Sequence, residues 1–255
     1  MSSNVIISLA QSKYFQGDIE KNITHHLYLI DKAIENDSDL IVFPELSITG
    51  YEPSLAKTLA TNANDVRFKV FQDKADQHHI TIAIGVPLKA EHGITISLVF
   101  YRPHNQPIVY AKQKLHDDEL PYFVQGQQNP LVKINNKVIA FGICYETMFC
   151  EPFEEAICNN SDAYIASVAK PMKDISIATT HYSTMAKTHG IPVLTCNSIG
   201  PSKDFFCAGQ SAVWDKTGIS LGTLDASHEG LLIFHLDNNT TTSIILSDEN
   251  KFTQG

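Results

Sequence analysis

The sequence predicts an α/β layered fold, and two patterns carry that expectation. Through the first third of the chain, short apolar runs alternate with apolar stripes at helical spacing. Later apolar runs instead succeed one another across turn-forming residues, as strands of hairpins do. Strand–helix alternation followed by hairpins fits a layered α/β or α+β domain better than a pure doubly wound sheet.

Taken in order, residues 4–11 (NVIISLAQ) form an apolar run of strand length, followed by a loop at Gly17. Asp18 is placed to cap a helix reaching about residue 36. In it Ile19, Ile23, Leu27, Ile30 and Ile34 recur at three- and four-residue steps, making one apolar stripe. Residues 39–43 (DLIVF) make a second buried strand, which Pro44 stops with Glu45 immediately behind it. A second helix is expected over 64–79 with Val66, Val70, Phe71 and Ala75 inward, then a strand over 81–87. Residues 94–101 and 107–112 flank RPHNQ, a run of turn formers, and predict a hairpin.

The stretch 137–149 (KVIAFGICYETMF) is a short apolar run ending in a cysteine. Gly142 leaves room there for another backbone or a ligand. Cys144 is delivered at the strand end, where α/β folds place reactive side chains. A helix over 151–160, a strand over 163–168 and a helix over 175–189 follow, the last stopped by Gly190 and Pro192. Residues 193–197 form a strand, and strands 210–214 and 231–236 are joined through the turn DKTG at 215–218. Past Asp237 the chain is polar except for an apolar run at 244–246. With no linker, repeat or low-complexity segment, one domain over residues 1–255 is expected.

Composition narrows the partners. Lys plus Arg number 19 against 28 Asp plus Glu, a net charge of −9 without any basic run. That balance argues against nucleic acid and anionic membranes. No stretch is apolar over a membrane-spanning length, and the N-terminus lacks a signal-peptide pattern, so a cytoplasmic location is expected. Cys144, Cys150, Cys158, Cys196 and Cys207 are odd in number and contain no Cys-x-x-Cys, which favours free thiols over disulfides or a zinc site. His25, His26, His78 and His79 are expected to be solvated or helix-face residues. His181 and His189 share one helix and lack a thiol-protease pattern.

Three apolar strands end in one potentially reactive residue each: LIVFPE in Glu45, IVYAK in Lys112 and VIAFGIC in Cys144. Taken singly, the acid and the lysine are ordinary surface charges and the thiol an ordinary core residue. Together they have a chemistry. A carboxylate beside a thiol takes its proton, and an ammonium stabilises an oxyanion in acyl transfer.

These elements resemble the nitrilase superfamily of carbon–nitrogen hydrolases, which use a Glu–Lys–Cys triad. FPELSITGY (residues 43–51) matches that family's F-P-E-x-x-x-x-G-Y, YAKQKL (110–115) its Y-R-K-x-H-L, and GICYETMF (142–149) its cysteine element. All three stand in family order, and NSIG (197–200) with AGQSAVWDKTG (208–218) extends the likeness across nearly the whole chain. Ala111 and Lys114 depart from the usual Arg and His, making Lys114 a rival to Lys112, and the Tyr110–Leu115 frame favours Lys112. Glu146 replaces the commoner Asp, and Met148 replaces the motif's Arg.

The resemblance implies a four-layer α-β-β-α sandwich and hydrolysis of a small linear amide through a Cys144 thioester. Glu45 is then the general base, with Lys112 and the Tyr145 backbone N–H as oxyanion donors. No metal or organic cofactor is called for. Glu119, in LHDDELPYFVQG (115–126), matches a supporting glutamate of the family and otherwise is a surface acid. Tyr51 is placed to line the pocket entrance. Lys170 either meets an anionic substrate group or is a surface lysine. Relatives also include nitrilases, N-carbamoyl amide hydrolases and acyltransferases. A thiol sensor or binding protein retaining the fold is the non-enzymatic alternative. A homodimer or higher homo-oligomer is common in the family.

Overall fold

The apolar runs pair into two sheets that lie face to face. A computed structural model describes residues 4–127, 130–202 and 204–246; the end of the polar tail lies outside the described residues. In chain order the strands are β1 (Ile6–Gln11), β2 (Leu40–Val42), β3 (Thr81–Ala90), β4 (Gly93–Tyr101), β5 (Ile108–Ala111), β6 (Val132–Ile134), β7 (Lys137–Ile143) and β8 (Ala163–Val168). They continue as β9 (Val193–Asn197), β10 (Ile199–Pro201), β11 (Phe206–Ala208), β12 (Ala212–Trp214), β13 (Ser220–Thr223), β14 (Gly230–His235) and β15 (Thr240–Ile245). The α-helices are α1 (Ile19–Ile34), α2 (Ala56–Leu59), α3 (Lys69–His78), α4 (Glu151–Cys158) and α5 (Met172–His189).

One sheet has the order β15-β14-β1-β2-β3-β4-β5 and the other β13-β12-β9-β8-β7-β6, with β10 and β11 forming a separate hairpin. At the centre of each sheet the strands run parallel, β1-β2-β3 in the first and β7-β8-β9 in the second. Parallel strands put their C-terminal ends on one edge, and β5, antiparallel to β4, points the same way as β3.

The facing surfaces of the sheets share one apolar core, in which Leu9, Val42 and Leu98 meet Ile165 and Leu194. The rings of Phe100 and Phe141 cross it edge to face with centroids 4.7 Å apart. Two polar bonds span the same gap. Ser167 Oγ donates to Phe43 O at 2.8 Å, and the Cys196 thiol donates to Val42 O at 3.1 Å. On the outer face of the first sheet α1 and α3 bury Ile23, Leu29, Ile30 and Phe71. On the outer face of the second, α4 and α5 bury Phe153, Ala178 and Tyr182. The layers are therefore α-β-β-α.

Several sequence expectations shift. The 215–218 turn joins β12 to β13, a strand the sequence did not signal, while β14 crosses to the other sheet and pairs with β1. Short strands β6, β10 and β11 also lacked a readable pattern. The second helix begins as a single 3-10 turn, Val66–Phe68, because the Asp65 side chain accepts the Arg67 N–H. Its inward stripe is Phe68, Phe71 and Ala75, while Val66 (82% exposed) and Val70 face outward. The last helix starts at Met172 rather than at residue 175.

His26 is fully buried rather than solvated. It stacks on Phe43 at 3.9 Å, with ring nitrogens 2.7 Å from Asn22 O and 2.9 Å from Ser47 Oγ. Burial, aided by neighbouring His25, drives its pKa down to about 3, so it stays neutral. His25 itself bonds Glu229 at 2.7 Å. The open space at Gly142 serves neither a backbone nor a ligand, for a Cβ there would meet the Tyr164 hydroxyl and Thr147 Cγ2.

Gly85 of β3 is where close backbone approach matters. A Cβ there would sit 2.3 Å from Pro44 O and 2.5 Å from Leu46 N, against the loop that carries Glu45. Ile48 N donates to Gly85 O at 3.0 Å and ties that loop down. Gly85→Ala is expected to cost about 1–3 kcal/mol of stability, as overpacking does. An unchanged urea midpoint in equilibrium unfolding would contradict this account of the loop.

Candidate active site

Three strand ends deliver three reactive side chains to one edge of the sandwich. After β2, Pro44 ends the pairing and the chain turns through Glu45 and left-handed Leu46 (φ 52°). Ser47 N to Pro44 O (3.1 Å) and Thr49 N to Leu46 O (3.0 Å) close that turn. Lys112 follows β5, its N–H donating to Ile96 O and its C=O accepting from Gly126 N, both at 2.8 Å. Cys144 follows β7 with φ at 48° and opens a 3-10 helix, Cys144–Met148. A non-glycine residue in that left-handed region bears about 1–2 kcal/mol of strain, a conformation known for exposing nucleophiles at strand-to-helix turns.

Glu146 holds the strained turn in place. Its Oε1 accepts the Ile143 N–H at 2.7 Å and the Tyr110 hydroxyl, and its Oε2 accepts the N–H groups of Gln113 (2.6 Å) and Lys114 (3.2 Å). One buried carboxylate thus pins the Cys144 turn to the segment carrying Lys112. Thr147 Oγ1 donates to Cys144 O at 2.6 Å and also bonds the Tyr182 hydroxyl.

Lys112 is the electrostatic centre. It is fully buried, and its Nζ donates to Glu45 Oε1 at 2.7 Å and to Glu119 Oε1 at 2.6 Å. Glu119 Oε1 also accepts the Tyr51 hydroxyl at 2.9 Å, and its Oε2 accepts the His116 N–H at 2.8 Å. Burial pulls the Lys112 ammonium down, but Glu45, Cys144 and Glu119 outweigh it and hold the pKa above the usual lysine range.

Burial pushes Glu45 up to about 7, with Lys112 opposing the rise and Glu119 adding to it. Glu45 Oε2 completes no hydrogen bond among the described residues, and the Cys144 thiol acts on the carboxyl as a weak donor. Burial pushes the Cys144 thiol up to about 12. Glu45 adds to that, while Lys170, Lys112 and the Ala169 N–H at the sulfur oppose it. At neutral pH the site therefore holds a protonated thiol beside a carboxyl near its own midpoint. The Cys144 residue as a whole keeps partial solvent contact, while its sulfur is buried.

Glu45, Lys112, Glu119 and Tyr51 form one hydrogen-bonded cluster, and Cys144 and Lys170 interact with it electrostatically. The Tyr145 N–H lies in the first turn of the 3-10 helix, where a donor has no intrahelical partner. Lys114 turns outward, pairing with Glu151 at 3.1 Å and lying 4.1 Å over the Phe149 ring. Sequence reasoning treated Glu146 only as a departure from Asp and passed over Thr147. The available signal was an acid inside an apolar stretch, since a buried acid must find donors. Among the described residues no group of three or more His, Cys, Asp or Glu could hold a metal ion, and no helix is long and apolar enough to cross a membrane.

The model of the carbon–nitrogen hydrolase family matches residues 6–245. A probable nitrilase of Schizosaccharomyces pombe is 26% identical over 230 residues, 86% of this chain and 84% of the relative. The glutamine-dependent NAD(+) synthetase of Aquifex aeolicus is 25% identical over 240 residues, which are 91% of this chain but only 42% of that longer protein. Among solved structures, a variant of the amidase from Nesterenkonia sp. AN1 in complex with butyramide superposes with a TM-score of 0.83. It is 22% identical and covers 92% of this chain and 94% of its own, a likeness of fold.

The Glu45 carboxyl is expected to be protonated at pH 6 and ionised at pH 8. Titration of 13C-carboxyl NMR signals, with Glu45→Gln assigning the resonance, should place its midpoint near neutrality, and Lys112→Met should move that midpoint higher. A midpoint in the ordinary glutamate range would mean that the carboxyl is better solvated than the geometry allows.

Proposed function

Since the chain belongs to the carbon–nitrogen hydrolase family of the nitrilase superfamily, we propose that it hydrolyses a small linear amide through a thioester on Cys144. The observation that carries this reading is the buried Lys112 ammonium, hydrogen-bonded to Glu45 on one side and Glu119 on the other, next to the Cys144 thiol.

Glu45 takes the proton from the Cys144 sulfur as that sulfur attacks the amide carbonyl carbon. The carbonyl oxygen becomes an oxyanion, held by Lys112 Nζ and the Tyr145 N–H. Glu45 then returns its proton to the nitrogen, the carbon–nitrogen bond breaks, ammonia or an amine leaves, and an acyl thioester remains. Water, deprotonated by Glu45, attacks the thioester; the carbon–sulfur bond breaks, the acid departs and the thiol regains its proton. With its pKa near 7, Glu45 can both accept and return a proton at neutral pH. The thiol is neutral at rest, so the thiolate forms only as it attacks. Glu119 and Tyr51 act by fixing the Lys112 ammonium.

The resemblance to a glutamine-dependent synthetase favours one second reading, in which the amide is the side chain of glutamine. The named reactions of the relatives include a nitrilase, so nitriles belong in the same test.

Cys144→Ala is expected to abolish ammonia release from a panel of linear amides, glutamine, nitriles and carbamoyl compounds. Lys112→Met is expected to lower kcat at least about 100-fold, as loss of an oxyanion donor does. Intact-mass measurement of the wild type under turnover should show one acyl group on Cys144. Undiminished turnover by Cys144→Ala would sink the proposal, and oxidation of the thiol without acylation would support a thiol sensor instead.

A further inference from the structure

The two donors assigned to the oxyanion come from different sheets. Lys112 follows β5 in one, and the Tyr145 N–H lies just past β7 in the other. The Lys112 N–H is bonded to Ile96 O of β4 at 2.8 Å, which holds Lys112 to its own sheet without fixing its distance from the Cys144 turn. A developing oxyanion needs each donor at about 2.7–3.1 Å, whereas apolar packing between sheets is non-directional.

Glu146 supplies the directional link. It is 1% exposed and stands next to Tyr145 in the chain. Its Oε1 accepts the Ile143 N–H at 2.7 Å, one residue before Cys144, and its Oε2 accepts the Gln113 N–H at 2.6 Å, one residue after Lys112. The Lys114 N–H (3.2 Å) and the Tyr110 hydroxyl complete four bonds, every one running toward the carboxylate. A carboxylate accepts at both oxygens, whereas a carboxamide would turn its NH2 against two of these donors. Burial lifts the Glu146 carboxyl, and the bonds from Tyr110, Ile143 and Gln113 pull it back toward the ionised form. Bonds to an ionised acceptor are about twice as strong as neutral ones, so the link is stiff as well as directional.

We infer that Glu146 is a positioning residue of the oxyanion hole: its carboxylate holds the Lys112 segment and the Cys144–Tyr145 turn at the separation that lets both donors reach one oxygen. The inference rests on the amidase reading and adds to it the group that aligns the two donors. Glu146 acts through backbone N–H groups and not on the substrate, so its effect falls on the tetrahedral state rather than on amide binding. A misplacement of about 1 Å costs on the order of 100-fold in rate.

The test measures turnover of butyramide and affinity for butyraldehyde carrying 13C at its carbonyl. The Cys144 thiol adds to that carbonyl: the carbon–sulfur bond forms, the S–H proton passes to oxygen, and the tetrahedral adduct is followed by 13C NMR. Glu146→Gln keeps the size and loses the charge, while Glu146→Asp keeps the charge and shortens the reach. The first should lower kcat for butyramide about 100-fold and the second at least about 10-fold, with KM little changed. Each should weaken the aldehyde adduct by a factor similar to its loss in kcat. Undiminished kcat in either variant that folds overturns the inference. So does a loss confined to KM, or a loss in kcat with the adduct at full affinity, because the two donors would then still be aligned. A wild type that forms the adduct, weakened in the variants, yet hydrolyses no amide removes the amidase reading and leaves the inference standing. A wild type that does neither overturns both.

Discussion

The site depends on one ammonium placed where water cannot reach it. Two carboxylates share Lys112 Nζ, and with all three groups charged the cluster carries an excess negative charge in a medium of low dielectric. Burial there disfavours an ionised carboxyl, and a like charge a few ångströms away adds to that. Glu119 is occupied on both oxygens, by Lys112, Tyr51 and the His116 N–H. Among the described residues, Glu45 keeps one oxygen without a completed bond. Burial lifts the Glu45 carboxyl to about 7, while its acidic neighbours keep Lys112 positive.

That arrangement needs both sheets. Glu45 and Lys112 leave strand ends of one sheet and Cys144 a strand end of the other, so the distance between sheets sets the distance between the Glu45 carboxyl and the Cys144 thiol. Apolar packing supplies the spacing, and directional bonds remove the remaining slack. Ser167 to Phe43 and Cys196 to Val42 bridge the sheets just below the site. Glu146 couples the Cys144 turn to the Lys112 segment through four donors. The left-handed conformation of Cys144 persists because these contacts over-determine it.

The longer elements were legible because their apolar residues repeat with a period. Strands of 4–8 apolar residues and the stripe of α1 were readable as such, and so was the termination of three strands in Glu45, Lys112 and Cys144. Elements of three or four residues, such as β6, β10, β11 and β13, carry too few side chains for any period to show. Val66 and Val70 were misplaced because apolar residues on a short helix fit more than one stripe, and packing of Phe68 and Phe71 against the sheet chose between them. His26 entered the core because Asn22 and Ser47 satisfy its ring nitrogens, and Ser47 reaches it from beyond the helix, which local spacing does not show.

By itself the sequence determined which residues could react and in what order they stand, because residue type and local period are properties of the chain. It also set the class of fold, through alternation of strand and helix. Tertiary structure alone decided which lysine is buried, with Lys112 turned inward between two acids and Lys114 outward to Glu151. It also decided that the Glu45 carboxyl is buried, which raises its pKa to about 7. Proton affinity and charge pairing depend on burial and on neighbours brought from distant segments, and one-dimensional spacing does not encode either.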